Sequence, residues 1–180
     1  MRSYAAAVAY ARGQHNNPSL YVRQGNHCQQ FVRSCVGASA WAGSAISAWH
    51  AIPSGHRHSG TPRAGGIAYY DRPGIPDHRE FGHTVYVVEG GMVWSTDALR
   101  FGHVDLVPYT WFKAHWGMRY LGWIDWTPSG AINLAPATVP LTQVAPKMTK
   151  ASNSWVVAPK HSASGGALHA SDPHLELSSA

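Results

Sequence analysis

Residues 26–37 read NHCQQFVRSCVG, and within that stretch Phe31, Val32, Cys35 and Val36 recur at the spacing of one helical stripe. The spacing predicts a helix that opens at Cys28, with Asn26 as the candidate cap near its start. Cys28 then sits in the first turn, whereas Cys35 lies two turns in, on the apolar stripe. Two turns separate the thiols too far for a disulfide. A thiol at a helix N-terminus feels the positive end of the dipole, which favours thiolate and pulls its pKa below the free value of about 8.5. Cys28 is therefore the candidate nucleophile and Cys35 a packing residue. The plainer alternative for Cys28 is a buried structural thiol, the usual state of a lone cysteine on a helix.

Upstream, SYAAAVAYAR at 3–12 predicts an alanine-rich helix ending at Gly13, followed by a loop over 15–18. Downstream, a helix is predicted over about 40–51, carrying Trp41, Ala45, Ile46 and Trp49 and stopped by Pro53. The pattern then changes to short alternating or β-branched runs bounded by glycine: GIAYYD at 66–71, HTVYVVE at 83–89, MVWSTD at 92–97 and VDLVP at 104–108. Residues 110–116 suggest a short helix and RYLGWIDW at 119–126 a last, aromatic strand. Helices followed by a meander of strands predict an α+β domain over 1–134, with N-terminal helices packed on a small antiparallel sheet. Residues 135–180 are rich in Ala, Pro, Ser, Thr and Lys without a sustained period, and are expected to be a flexible or disordered tail.

His83 follows Gly82 at the head of a predicted strand, and His83, Val85 and Val87 share one face. If the Cys28 helix packs on that face, the imidazole can take the thiol's proton and later protonate a leaving amine. A third group must orient the ring, and the next strand offers Ser95, Thr96 and Asp97. A two-residue turn at Gly90-Gly91 would leave Thr96 on the His83 face. A three-residue loop over 89–91 would set Asp97 opposite His83, with Ser95 on the same face. We favour the second register, because a carboxylate orients an imidazolium better than a hydroxyl does. The candidate catalytic set is Cys28, His83 and Asp97, with Tyr21, Gln24, Asn26 and Ser95 as candidate substrate or oxyanion positions.

The 180 residues are 44% hydrophobic and 13% charged, with a formal net charge of +5. That charge would draw the chain toward polyanions, but the basic residues are scattered and no nucleic-acid reader is expected. No apolar stretch approaches the roughly 18 residues of a membrane span. The N-terminal alanine run is broken by tyrosines, unlike a signal segment, so synthesis in the cytoplasm is expected. Twelve histidines raise a zinc amidase as a rival, with His56 and His58 joining His83 or His103. An His-x-His in a Gly and Ser loop lacks the helical HExxH geometry, so neither metal nor other cofactor is expected. Trp94, Trp111, Trp116, Trp123 and Trp126 could form a sugar-stacking surface, although aromatics on short strands usually belong to the core.

GNHCQQFVR, GHTVYVV, VWSTD and RYLGWIDW, in that order, resemble the CHAP family (cysteine, histidine-dependent amidohydrolase/peptidase) and its NlpC-type relatives over about residues 3–130. The resemblance implies a papain-like cysteine hydrolase core, with catalytic roles for Cys28, His83 and either Asp97 or Ser95. It implies cleavage of an amide bond of peptidoglycan, between muramic acid and L-alanine or within the stem peptide and cross-bridge. A monomer acting as a phage endolysin after holin-assisted release, or as a virion component, would fit it. The alternative is a non-catalytic wall-binding or virion structural module.

Overall fold

Ser3 accepts the Ala6 N–H and starts α1 (Tyr4–Asn16). The computed structural model describes residues 1–75, 81–136, 151–157 and 168–175, the last two stretches by their backbone alone. Helix α1 runs through Gly13, where the sequence predicts its end. A mid-helix glycine costs only about 1 kcal/mol relative to alanine, and Ala7 and Ala11 anchor the helix in the core. A four-residue helix, α2 (Leu20–Arg23), follows in a stretch to which the sequence assigns no element. Helix α3 (Cys28–Val36) forms where predicted, burying Phe31, Val32, Cys35 and Val36. Helix α4 (Ala45–Ala51) begins later than predicted, because Ser44 and Ser47 form a reciprocal capping box that fixes its first turn.

The strands are β1 (Arg57–His58), β2 (Ile67–Asp71), β3 (His83–Val87), β4 (Met92–Thr96), β5 (Val104–Pro108) and β6 (Arg119–Ile124), with α5 (Trp111–Trp116) before the last. They form one antiparallel sheet in the order β1-β6-β2-β3-β4-β5. Strand β1 is two residues long, too short to leave a periodic signal. Between β3 and β4 the chain turns through Glu89–Gly91. Tyr86 pairs with Trp94 and Val87 with Val93, and the Val88 N–H donates to Met92 O at 2.9 Å. This is the three-residue loop favoured from the sequence.

Both faces of the sheet are covered, so β2 and β3 are buried throughout. On one face α1, α3 and α4 pack Phe31, Val32 and Ala48 against Tyr69 and Tyr86. On the other, Phe112 of α5 packs with Tyr70, Val85 and Val87. A short hairpin, β7 (Trp126–Thr127) with β8 (Gly130–Ala131), closes this unit, which spans Met1–Pro136.

A second unit covers Ala137–Ala180. Where the sequence predicts a structureless tail, β9 (Ala151–Val157) pairs antiparallel with β10 (Leu168–Leu175). The run Trp155, Val156, Val157 carries the β-forming side chains that the Ala, Pro and Ser background hides. The register shifts between Asp172 and Leu175, around Pro173, which has no N–H for the ladder. Residues 137–150, 158–167 and 176–180 of the predicted tail lie outside the described residues.

Candidate active site

Helix α3 packs on β3 and brings the half-buried Cys28 to the strand's head. Backbone N–H groups of Thr84, Gln29 and Cys28 itself face the sulfur and favour its anion. Burial outweighs them, and with a further push from the Asp97 charge the thiol is raised to about 11. The helix terminus thus supplies the expected donors without producing the low pKa predicted from the dipole. Desolvation of an anion is the larger effect here.

The approach to His83 is tightly held. The Ile46 N–H, in the first turn of α4, donates to Phe81 O at 3.2 Å. Gly82 has a φ of 64°, and a Cβ there would lie 2.7 Å from Tyr70 O, so only glycine fits. The His83 ring, 6% exposed, lies 5.0 Å from Phe112 and 5.0 Å, edge-on, from Trp116. Burial lowers its pKa to about 3 and keeps the imidazole neutral.

Its Nε2 lies 2.8 Å from Ser95 Oγ, and Ser95 Oγ donates its own hydrogen to Thr96 O at 2.9 Å. A hydroxyl has one hydrogen to give. With the Ser95 hydrogen on Thr96 O the ring proton sits on Nε2 and the basic lone pair on Nδ1; with the hydroxyl turned to the ring the tautomer reverses.

The sequence reading asked whether the His83, Val85 and Val87 face meets the Cys28 helix. It does not: Val85 and Val87 pack with Phe112 of α5, while α3 lies on the face of Tyr69 and Tyr86. The thiol instead meets the strand edgewise, at the backbone of the residue next to His83. Ser95, not Asp97, touches the imidazole. Asp97 stands opposite His83 in the register, but its φ of 62° takes it out of the strand. Its carboxylate accepts from Asn26 N–H at 2.9 Å and Gly102 N–H at 2.7 Å.

Of the upstream candidates, the Tyr21 hydroxyl bonds that of Tyr10 at 2.6 Å, and its ring meets His27 edge-on at 6.1 Å. Gln24 and Asn26 are exposed, Gln24 as the cap residue of α2. The aromatic wall of Phe112 and Trp116 around His83 was missed from the sequence. The one signal for it was the aromatic run of residues 111–116, read there as a generic helix.

His56 and His58 meet neither His83 nor His103. Each contacts one oxygen of Asp125, His56 Nδ1 and His58 Nε2 both at 2.9 Å, and their rings rest on Trp126 and Trp123. Among the described residues, no group of three or more His, Cys, Asp or Glu is placed to hold a metal ion. Nor is any described helix long and apolar enough to cross a membrane.

Comparison with known families gives a match to the penicillin amidase model over residues 6–180. No curated protein matches the chain. The family match covers nearly the whole sequence and overturns the resemblance to CHAP and NlpC-type domains, which rested on four short motifs. The peptidoglycan substrate and the phage-lysin role inferred through that resemblance fall with it. What survives is the chemistry common to both readings, cleavage of an amide bond: the chain belongs to the penicillin amidase family and is an amide hydrolase.

Proposed function

We propose that this amide hydrolase works through a thiol, with Cys28 as nucleophile, His83 Nδ1 as its base and Ser95 as the group that orients the ring. What supports the reading is the set of backbone N–H groups that face the Cys28 sulfur, one of them on Thr84, the residue after His83. A nucleophile activated by its own α-amino group must stand at a chain start. Cys28 follows α1 and α2, so that route would need the chain cleaved before it; we take the base to be a side chain.

At neutral pH both partners are uncharged, the thiol held up and the imidazole held down by burial. Proton transfer therefore accompanies attack instead of preceding it. As the S–C bond forms on the amide carbonyl, the thiol proton passes to Nδ1. The carbonyl oxygen becomes an anion that the N–H groups at the head of α3 can stabilise. Collapse breaks the C–N bond, the amine leaves with the proton from Nδ1, and water hydrolyses the thioester.

The test uses benzylpenicillin and a panel of acyl p-nitroanilides, with wild type beside Cys28→Ala and Cys28→Ser, together with intact-mass analysis. The expected result is amine release by wild type alone and an acyl adduct on Cys28. Amine release by Cys28→Ala, or a mature chain starting at Cys28, would overturn the side-chain mechanism.

A further inference from the structure

Among the described residues only Asn26 and Asp97 carry a positive φ without being glycine, at 55° and 62°. That conformation is sterically costly for any residue with a Cβ and persists where surroundings hold it. One hydrogen bond joins the two: Asn26 N–H donates to Asp97 Oδ2 at 2.9 Å. The other carboxylate oxygen accepts from Gly102 N–H at 2.7 Å, tying the far side of the β4–β5 connection to the same side chain.

Two close contacts dock that connection on the chain ahead of the thiol. Gly102 lies so near the Arg23 carbonyl that a Cβ would stand 2.5 Å from its oxygen, and the Phe101 ring would meet a Cβ on Gly25 at 2.3 Å. From Asn26 only His27 intervenes before Cys28, and His27 caps α3 without a side-chain bond of its own. The entry to the nucleophile helix is therefore braced from outside.

We infer that Asp97 is a positioning residue. Its carboxylate locks the turn at 25–27 in the conformation that presents the Cys28 thiol and backbone N–H at the head of α3, acting through Asn26 and Gly102 without touching reacting atoms. This rests on Cys28 as nucleophile. The charge is not what recommends a carboxylate here, since it disfavours the thiolate. Two acceptor oxygens for two backbone donors are.

The experiment reads alkylation of Cys28 by iodoacetamide, resolved from Cys35 by peptide mass, on the full chain between pH 6 and pH 11. Asp97→Ala should raise the limiting rate several-fold, by freeing the turn and opening the half-buried thiol to the reagent. Adding Asn26→Gly should return part of that change, because glycine enters the left-handed region without strain once the brace is gone. If Asp97→Ala does not fold, Asp97→Asn, which keeps one acceptor oxygen, should show an intermediate rise. A limiting rate unchanged in the folded variant, with at most a shifted midpoint, would reduce Asp97 to a charge and overturn the inference. So would a double variant no nearer wild type than the single. None of these readouts needs amide hydrolysis, so failure of the nucleophile assignment shows separately, as activity surviving Cys28→Ala.

Discussion

The contact of Ser95 with His83 depends on side-chain geometry and on where a single hydrogen goes, which is why the sequence could not choose between Ser95 and Asp97. When that hydrogen goes to Thr96 O, Ser95 accepts from the His83 ring and holds its proton on Nε2. Ser95→Ala should lower kcat about tenfold or more by releasing the ring, and should cost about 1–3 kcal/mol by leaving the buried Nε2–H unpaired. Urea unfolding and p-nitroanilide kinetics separate the two effects. His83→Ala should remove the base altogether, a loss of order 100-fold or more. A second expectation concerns the thiol. Raised to about 11, Cys28 should alkylate slowly at neutral pH and faster up to that range. A plateau reached by pH 8 would mean that the helix-end donors outweigh burial after all. The stripe on residues 28–36 separated Cys28 at the helix start from Cys35 in the core, but a dipole argument cannot see how much of the sulfur is buried.

Elements were legible where periodicity was sustained. Helix α3, all four strands of the β2–β5 meander and the loop at 89–91 lie where the alternation and the stripe put them. Helix α2 and strand β1 are too short to show a period, and the start of α4 was set by two serines, not by Trp41. The larger miss was the sheet face. Alternation along β3 tells that His83 and Thr84 point oppositely, but not which layer takes which side, since helices cover both. Gly82 is the joint on which this arrangement turns. Gly82→Ala would place a Cβ 2.7 Å from Tyr70 O, backbone that cannot swing away, and a similar distance from Ile46. The head of β3 should shift, with activity falling more than the melting temperature. Wild-type kinetics in Gly82→Ala would show that the imidazole tolerates movement of its strand.

At the scale of the whole molecule, His83 and Cys28, two groups whose ionisation desolvation disfavours, also set limits on stability. His83 is held near 3 in the folded chain against an ordinary 6.5. The unfolded chain therefore gains a proton that the folded one refuses, and stability falls as pH drops from about 6.5 toward 3. Cys28 works in the other direction: raised from 9.0 to about 11, its thiol ionises first in the unfolded chain, so stability falls as pH rises from about 9 toward 11. Between these windows neither group contributes a slope. Unfolding free energies from urea titrations of wild type should accordingly be flat between about pH 6.5 and pH 9 and fall on both sides, by a few kcal/mol at the acid extreme at the rate of about 1.36 kcal/mol per pKa unit. His83→Gln is the discriminating variant, because it keeps a polar side chain of similar reach while removing the titration. It should be less stable than wild type at pH 7 yet lose less on acidification, so the two curves converge toward pH 4. Parallel curves would assign the acid limb to other groups, with the Asp125 carboxylate between His56 and His58 the first to examine, since contact with the two imidazoles lowers its pKa. Converging curves would mean that the neutral imidazole suited to accept a proton from Cys28 is also the group that makes the fold sensitive to acid.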